Sequence, residues 1–186
     1  TDKQPESAWI SAATADNGPK WSLQTRKCVD GMAALVLQSM IKGGGDEERR
    51  IGVLKSKAFV APPKLTLWIN GHRGSPKGDA HDKNLVRVVD AESGETFAKV
   101  FPPRNDVCQR AEFDLSKHAG KAVRLEIVDG DDGKAYAWLG ITRIEPPVIS
   151  VNDFQTEDST REALKTLAVM LQHTAPAALR EKLAAY

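Results

Sequence analysis

The chain of 186 residues has almost no net charge, two cysteines and no long apolar run. Its 26 basic and 25 acidic residues are interspersed and leave a formal charge of +1. No single-sign field marks a nucleic-acid surface. No stretch approaches the roughly 20 apolar residues that a membrane helix needs. The opening Thr1-Asp2-Lys3-Gln4 is polar and carries no secretion signal. The first residue is not Met, so a processed or excised piece of something longer is expected. Cys28 and Cys108 lie 80 positions apart and neither belongs to a Cys-x-x-Cys, which excludes zinc and covalent haem on spacing. A disulfide between them would close a long loop, worth roughly 4 kcal/mol in the chain-entropy model, and would imply an oxidising compartment. Two buried free thiols are the alternative. The four histidines, His72, His81, His118 and His173, join no nucleophile elbow, zinc-protease helix or phosphate-cradling loop. Asp131 and Asp132 are adjacent within a tight turn, not the facing pair of a glycosidase. No enzyme is expected.

What is present is a rhythm. A hydrophobic content of 41% with 27% charged residues fits a folded globular chain. Leu65, Leu67 and Ile69 alternate with Thr66, Trp68 and Asn70, and Val123, Leu125 and Ile127 alternate with Arg124 and Glu126. Period two places each apolar set on one face of a strand. Further strands are expected at 21–25, 33–40, 51–54, 57–60, 85–89, 96–101, 110–115 and 135–144, with a single helical turn at 116–120. Eight to ten short strands, separated by Gly- and Pro-rich turns and no long helix, predict an all-β, antiparallel β-sandwich. After Pro146-Pro147 the period changes. Ser159-Thr160-Arg161-Glu162 fits a capping box, and Leu164, Leu167, Ala168 and Leu171 share one helical face. A second short helix is expected from Thr174, with Leu179 and Leu183 one turn apart. The expected organisation is an N-terminal extension at 1–19, a sandwich at 20–148, and a linker with two short amphipathic helices at 149–186.

The segments Ile51-Gly52-Val53-Leu54-Lys55-Ser56, Leu67-Trp68-Ile69-Asn70-Gly71-His72-Arg73-Gly74, Asn84 to Asp90, Pro102-Pro103-Arg104-Asn105-Asp106 and Asp129 to Trp138 follow in this order. Over about residues 28–148 they resemble a non-catalytic module of large exported bacterial proteins that carry c-type cytochrome-like haem domains elsewhere. The module is similar to galactose-binding-like jelly rolls, the architecture of many carbohydrate-binding modules. It also resembles the accessory sandwich of some sucrose-type glycoside hydrolases. The resemblance implies a jelly roll, an exported or periplasmic location, carbohydrate as the partner and a structural calcium ion in some members. It supplies no ligand residue by itself, and this chain has no haem-attachment motif.

The candidate site residues come from the loops and aromatics. His72 and Arg73 open a long polar loop that runs to Asn84, and Arg104 and Asp106 follow a Pro-Pro pair. These groups could bond sugar hydroxyls or serve as a solvated surface. Tyr136 and Trp138 share one side of an expected strand and could stack on a pyranose or cover the sheet. Asp129, Asp131 and Asp132 offer carboxylates to calcium, although Asp-Gly is also ordinary hairpin chemistry. Arg87, in mid-strand, needs a partner if buried, with Asp90 and Asp106 as candidates. The expected function is a non-catalytic module that recognises carbohydrate. The rival is a structural docking domain that contacts neighbouring domains of its own parent chain.

Overall fold

A computed structural model of the chain describes residues 9–12, 21–40 and 48–154. The expected C-terminal helices, with Leu164, Leu167 and Leu171, lie outside the described residues.

The described residues form an antiparallel β-sandwich of eleven strands. These are β1 (Trp9–Ala12), β2 (Ser22–Lys27), β3 (Ala33–Gln38), β4 (Gly52–Ser56), β5 (Phe59–Val60), β6 (Lys64–Gly71), β7 (Leu85–Asp90), β8 (Thr96–Val100), β9 (Asn105–Asp114), β10 (Ala122–Asp129) and β11 (Leu139–Glu145). One sheet runs β1-β4-β10-β7-β8, with β5 also paired to β10; the other runs β2-β3-β11-β6-β9. The expected helical turn is a short 3-10 turn at Ser116–His118, and a second follows at Val151–Asp153.

The alternating residues meet between the sheets. Leu65, Leu67 and Ile69 of β6 face Val123, Leu125 and Ile127 of β10 within one core, joined by Leu37, Leu54, Phe113 and Ile141. Fully burying each such side chain contributes about 1.5–3 kcal/mol. Trp9, expected in an extension, is buried in this core, and β1 pairs with β4.

The second sheet departs from the usual antiparallel pattern, in which one face meets water. Its outer face is buried too: Val36, Gln38, Asn70 and Thr142 are all inaccessible or nearly so. The reason is long-range. The sheet rolls until its two edge strands approach, and Cys28 just after β2 bridges Cys108 of β9. Gly140 lies inside the roll, where a Cβ would stand 2.7 Å from Val36 Cγ1 and 2.9 Å from Asn70 Oδ1.

Arg87 finds its partner in neither Asp90 nor Asp106. It bonds Glu126 on the adjoining β10 (Nε to Oε2, 2.8 Å), and Lys55 reaches the same carboxylate at 3.1 Å. Register explains this: Glu126 pairs with Arg87 on one side and Lys55 on the other. Burial alone would raise the Glu126 carboxyl; Arg87 and Lys55 together outweigh it and hold the group below its usual range.

Candidate functional site

At one end of the sandwich, two strands and the segments flanking two others bring side chains into a single hollow of about 300 Å³. Arg26 comes from β2, His72 from just after β6, Asp106 from β9, and Tyr136 with Trp138 from the segment before β11. Glu48 completes the rim.

His72 is the centre. It is 4% exposed. Its backbone N–H donates to Trp138 O (2.8 Å), which ties the end of β6 to the start of β11. Its ring Nε2 donates to Asp106 Oδ1 at 2.9 Å, while Nδ1 is buried without a partner. The ring stands edge-on to Tyr136 (4.9 Å between centroids) and to Trp138 (5.7 Å), a favoured aromatic geometry. Arg26 lays its guanidinium over the Trp138 ring at 4.9 Å, and its Nε donates to Gln38 Oε1 at 3.0 Å. Among the described residues its terminal amino groups have no hydrogen-bond partner.

The two aromatics differ from expectation. Residues 135–138 lie outside any strand, and β11 begins at Leu139. Trp138 is 5% exposed and sits beneath Arg26, so it is a wall and not an open platform. Tyr136 is 43% exposed and has φ of 59°. Left-handed backbone is a true outlier for a bulky residue, and such strain clusters at functional sites.

Three of the expected ligand-binding residues are used by the fold itself. Asn84 is fully buried: its Nδ2 donates to His72 O (3.1 Å) and its Oδ1 accepts from the N–H groups of Gly130 and Asp131. It therefore joins the long loop to the end of β10 behind the hollow. Arg104 donates to the carbonyls of Ser75 and Gly78 and so pins the loop tip. Arg73 lies over the Phe101 ring at 4.6 Å and pairs with Asp82 at 3.2 Å. Arg26 and Glu48 carried no motif: Arg26 falls one residue past the strand expected at 21–25, though β2 in fact includes it, and Glu48 lies in a charged cluster.

The three carboxylates expected to share calcium are engaged separately, because each has its own local solution to its charge. Asp131 Oδ2 accepts from His81 Nε2 at 2.7 Å, and its Oδ1 accepts the Gly133 N–H. Asp132 pairs with Lys83 at 3.1 Å, which lowers the acid and raises the amine. Asp129 is shifted the other way. Burial pushes its carboxyl well above the usual range, the Ser39 hydroxyl and Asp131 amide offset this in part, and the Asp131 and Glu48 carboxylates push upward again. Among the described residues, no three His, Cys, Asp or Glu side chains gather to hold a metal.

The raised Asp129 has a measurable consequence. An unfolded Asp loses its proton near pH 3.9; folded Asp129 keeps it to higher pH. Stability therefore falls as pH rises from about 4 through the folded value and is level above it. Asp129→Asn, which cannot ionise, is expected to be more stable than the parent at pH 7–8, with the gap closing toward pH 4. Urea unfolding across that range reads it out. An equal gap at both ends would show that folding does not raise the carboxyl.

No protein-family model matches the chain, and no curated protein matches it. Among solved structures, the C-terminal extracellular domain of Mycobacterium tuberculosis EmbC is 17% identical over 77% of this chain, with a TM-score of 0.41. This chain spans 58% of that domain's length. The K2 cleaved adhesin domain of Lys-gingipain is 12% identical over 74% of this chain and 88% of its own, with a TM-score of 0.46. A carbohydrate-binding module of Cellvibrio mixtus lichenase 5A in complex with cellotriose is 12% identical over 74% of this chain and 95% of its own, with a TM-score of 0.36. At these identities and scores the likenesses identify neither a function nor a ligand.

Proposed function

We propose that this chain is a non-catalytic recognition module of a larger exported protein, and that the hollow around His72 takes a sugar. One observation carries the reading: fixed donors and acceptors converge around an exposed ring. Among the described residues, Arg26 has terminal N–H donors and Asp106 an Oδ2 without a hydrogen-bond partner, Glu48, whose Oε2 accepts the Ala137 N–H, adds a second carboxylate, and Tyr136 presents a ring that is 43% exposed. A polyol needs this mixture, because every hydroxyl both donates and accepts while the ring's C–H face is apolar. The volume of about 300 Å³ is at the small end for ligand pockets, which suits one or two sugar units at the end of a chain. A docking role is favoured instead by the exposed Val29, Met32 and Leu35 around the β2–β3 turn.

Thermal melting of the full chain with a panel of soluble glycans at millimolar concentration tests the proposal, with calcium and chelator in parallel. A ligand at 100 times its Kd stabilises the fold by about 2.7 kcal/mol, a shift of several degrees for a domain of this size. One glycan class is expected to give that shift. A flat response to every glycan would sink the sugar reading and leave docking as the better account.

A further inference from the structure

Cys28 and Cys108 are thiols in this structure, both buried, at 3% and 0% exposure. They are the bridge partners by which the rolled sheet closes on itself, and Val29 N–H donates to Cys108 O at 3.0 Å beside them. The bridge is parallel, and neighbouring strands lie about 4.7–4.9 Å apart, inside the roughly 4.4–6.8 Å that a disulfide spans. The two side chains share one buried cluster with Val36, and Ala34 and Trp68 pack against it. The neighbours in sequence matter as much. Arg26 lies two residues before Cys28 and Asp106 two residues before Cys108, and both line the hollow.

We propose that Cys28 and Cys108 form a disulfide that locks the two edge strands of the rolled sheet together and so fixes the strands carrying Arg26 and Asp106. The pairing itself does not depend on what the hollow binds. The oxidant is a small or protein disulfide. A cysteine thiolate attacks one of its sulfurs and expels a thiolate; the second cysteine, losing its proton, then displaces the second thiolate. The chain loses two protons and two electrons, and the oxidant is reduced to two thiols.

The order of events follows from burial. In the folded chain the Cys108 thiol is pushed up to about 12, by burial first and then by the adjacent Cys28 sulfur. It is then nearly all protonated and a poor nucleophile. Both residues are also buried, at 3% and 0% exposure, so an oxidant reaches them as the chain folds, before the roll closes. Reduced chain that is already folded oxidises slowly, at the rate at which the sheet edges open.

The test refolds the full chain from denaturant, once with a mixture of oxidised and reduced glutathione and once with excess reductant. Intact mass, thiol titration in denaturant and melting temperature are then measured. The glutathione-refolded chain is expected to be lighter by two hydrogens, to have no titratable thiol, and to melt about 8–15 °C above the reduced form. Amide exchange at 26–28 and 105–108 should slow in the oxidised form only. The Cys28→Ser and Cys108→Ser variants should match the reduced parent under both conditions. Two titratable thiols per chain, glutathione adducts, disulfide-linked dimers, or an intramolecular bond that leaves melting and exchange unchanged would each overturn the proposal. A flat glycan panel would not, since none of these readouts involves a ligand.

Discussion

Replacement of Gly71 by alanine is expected to destabilise the chain by about 3–5 kcal/mol, read by urea unfolding, and to be the most damaging single methyl group that can be added near the hollow. Gly71 closes β6 with φ of 100°, a conformation that costs an L-residue about 1–3 kcal/mol. Space makes it worse. A Cβ there would stand 2.4 Å from Trp138 O and 2.5 Å from Leu139 Cα, and both obstacles are backbone. They cannot rotate away as a side chain could. Relief would have to push β11 from β6, breaking the His72 N–H to Trp138 O bond and moving two walls of the hollow. Gly94 is the internal control. Its φ of 74° is also positive, but a Cβ there meets nothing within 4 Å. Gly94→Ala should therefore lose about 1 kcal/mol, the conformational part alone. Equal losses at the two positions would show that the close approach at Gly71 is not a constraint.

The same contrast between local and distant causes explains what could be read in the sequence. Leu65, Leu67 and Ile69 declare a strand and its inner face by themselves, because side-chain period is a local property. So do the turn residues around Gly94 and the helical turn at 116–118. The burial of Asn70 and Trp68's neighbours on the other face is not local. It exists because strands 80 residues apart in the chain close the roll at Cys28 and Cys108. No window of alternating residues carries that information. Arg87 is similar: its partner Glu126 is set by strand register, not by sequence distance. At the site, polarity and loop position suggested His72 and Asp106, and a shared side of an expected strand suggested Tyr136 and Trp138; the fold brings all four into one hollow, with the aromatics outside any strand. These signals were not enough to separate the four from Arg73, Asn84 and Arg104, whose polar groups satisfy loop carbonyls, amides and a nearby carboxylate. Both groups have the same composition. Only the third dimension tells a donor that is already used from one that is not. Arg26 shows both: its Nε donates to Gln38, while among the described residues its terminal amino groups have no partner, and its one sequence trace is its place two residues before Cys28.

Tyr136 gives the sharpest separation of function from fold. Changing it to asparagine is expected to leave stability within about 0.5 kcal/mol of the parent, or slightly improve it, while weakening binding at least tenfold. The stability side rests on backbone. A tyrosine at φ of 59° holds a conformation that asparagine adopts far more readily, because its short polar side chain can bond locally. The relief of about 1 kcal/mol offsets the loss of an edge contact with His72, and little buried area goes with a ring that is 43% exposed. The binding side rests on chemistry. An aromatic ring that stacks on a ligand contributes its buried area, about 25 cal/mol per Å², plus about 0.5–1.5 kcal/mol from ring geometry, and asparagine has no apolar face to offer. The measurements are urea unfolding of both forms and calorimetric titration with whichever glycan most raises the parent's melting point. A residue kept only for packing would behave in the opposite way: its loss would lower stability and leave affinity intact. Strain retained at an accessible ring, against a cheaper residue that the backbone would accept, is what a site under functional demand looks like. If asparagine proves both destabilising and harmless to binding, Tyr136 is part of the scaffold and the ligand contacts must be sought around Arg26.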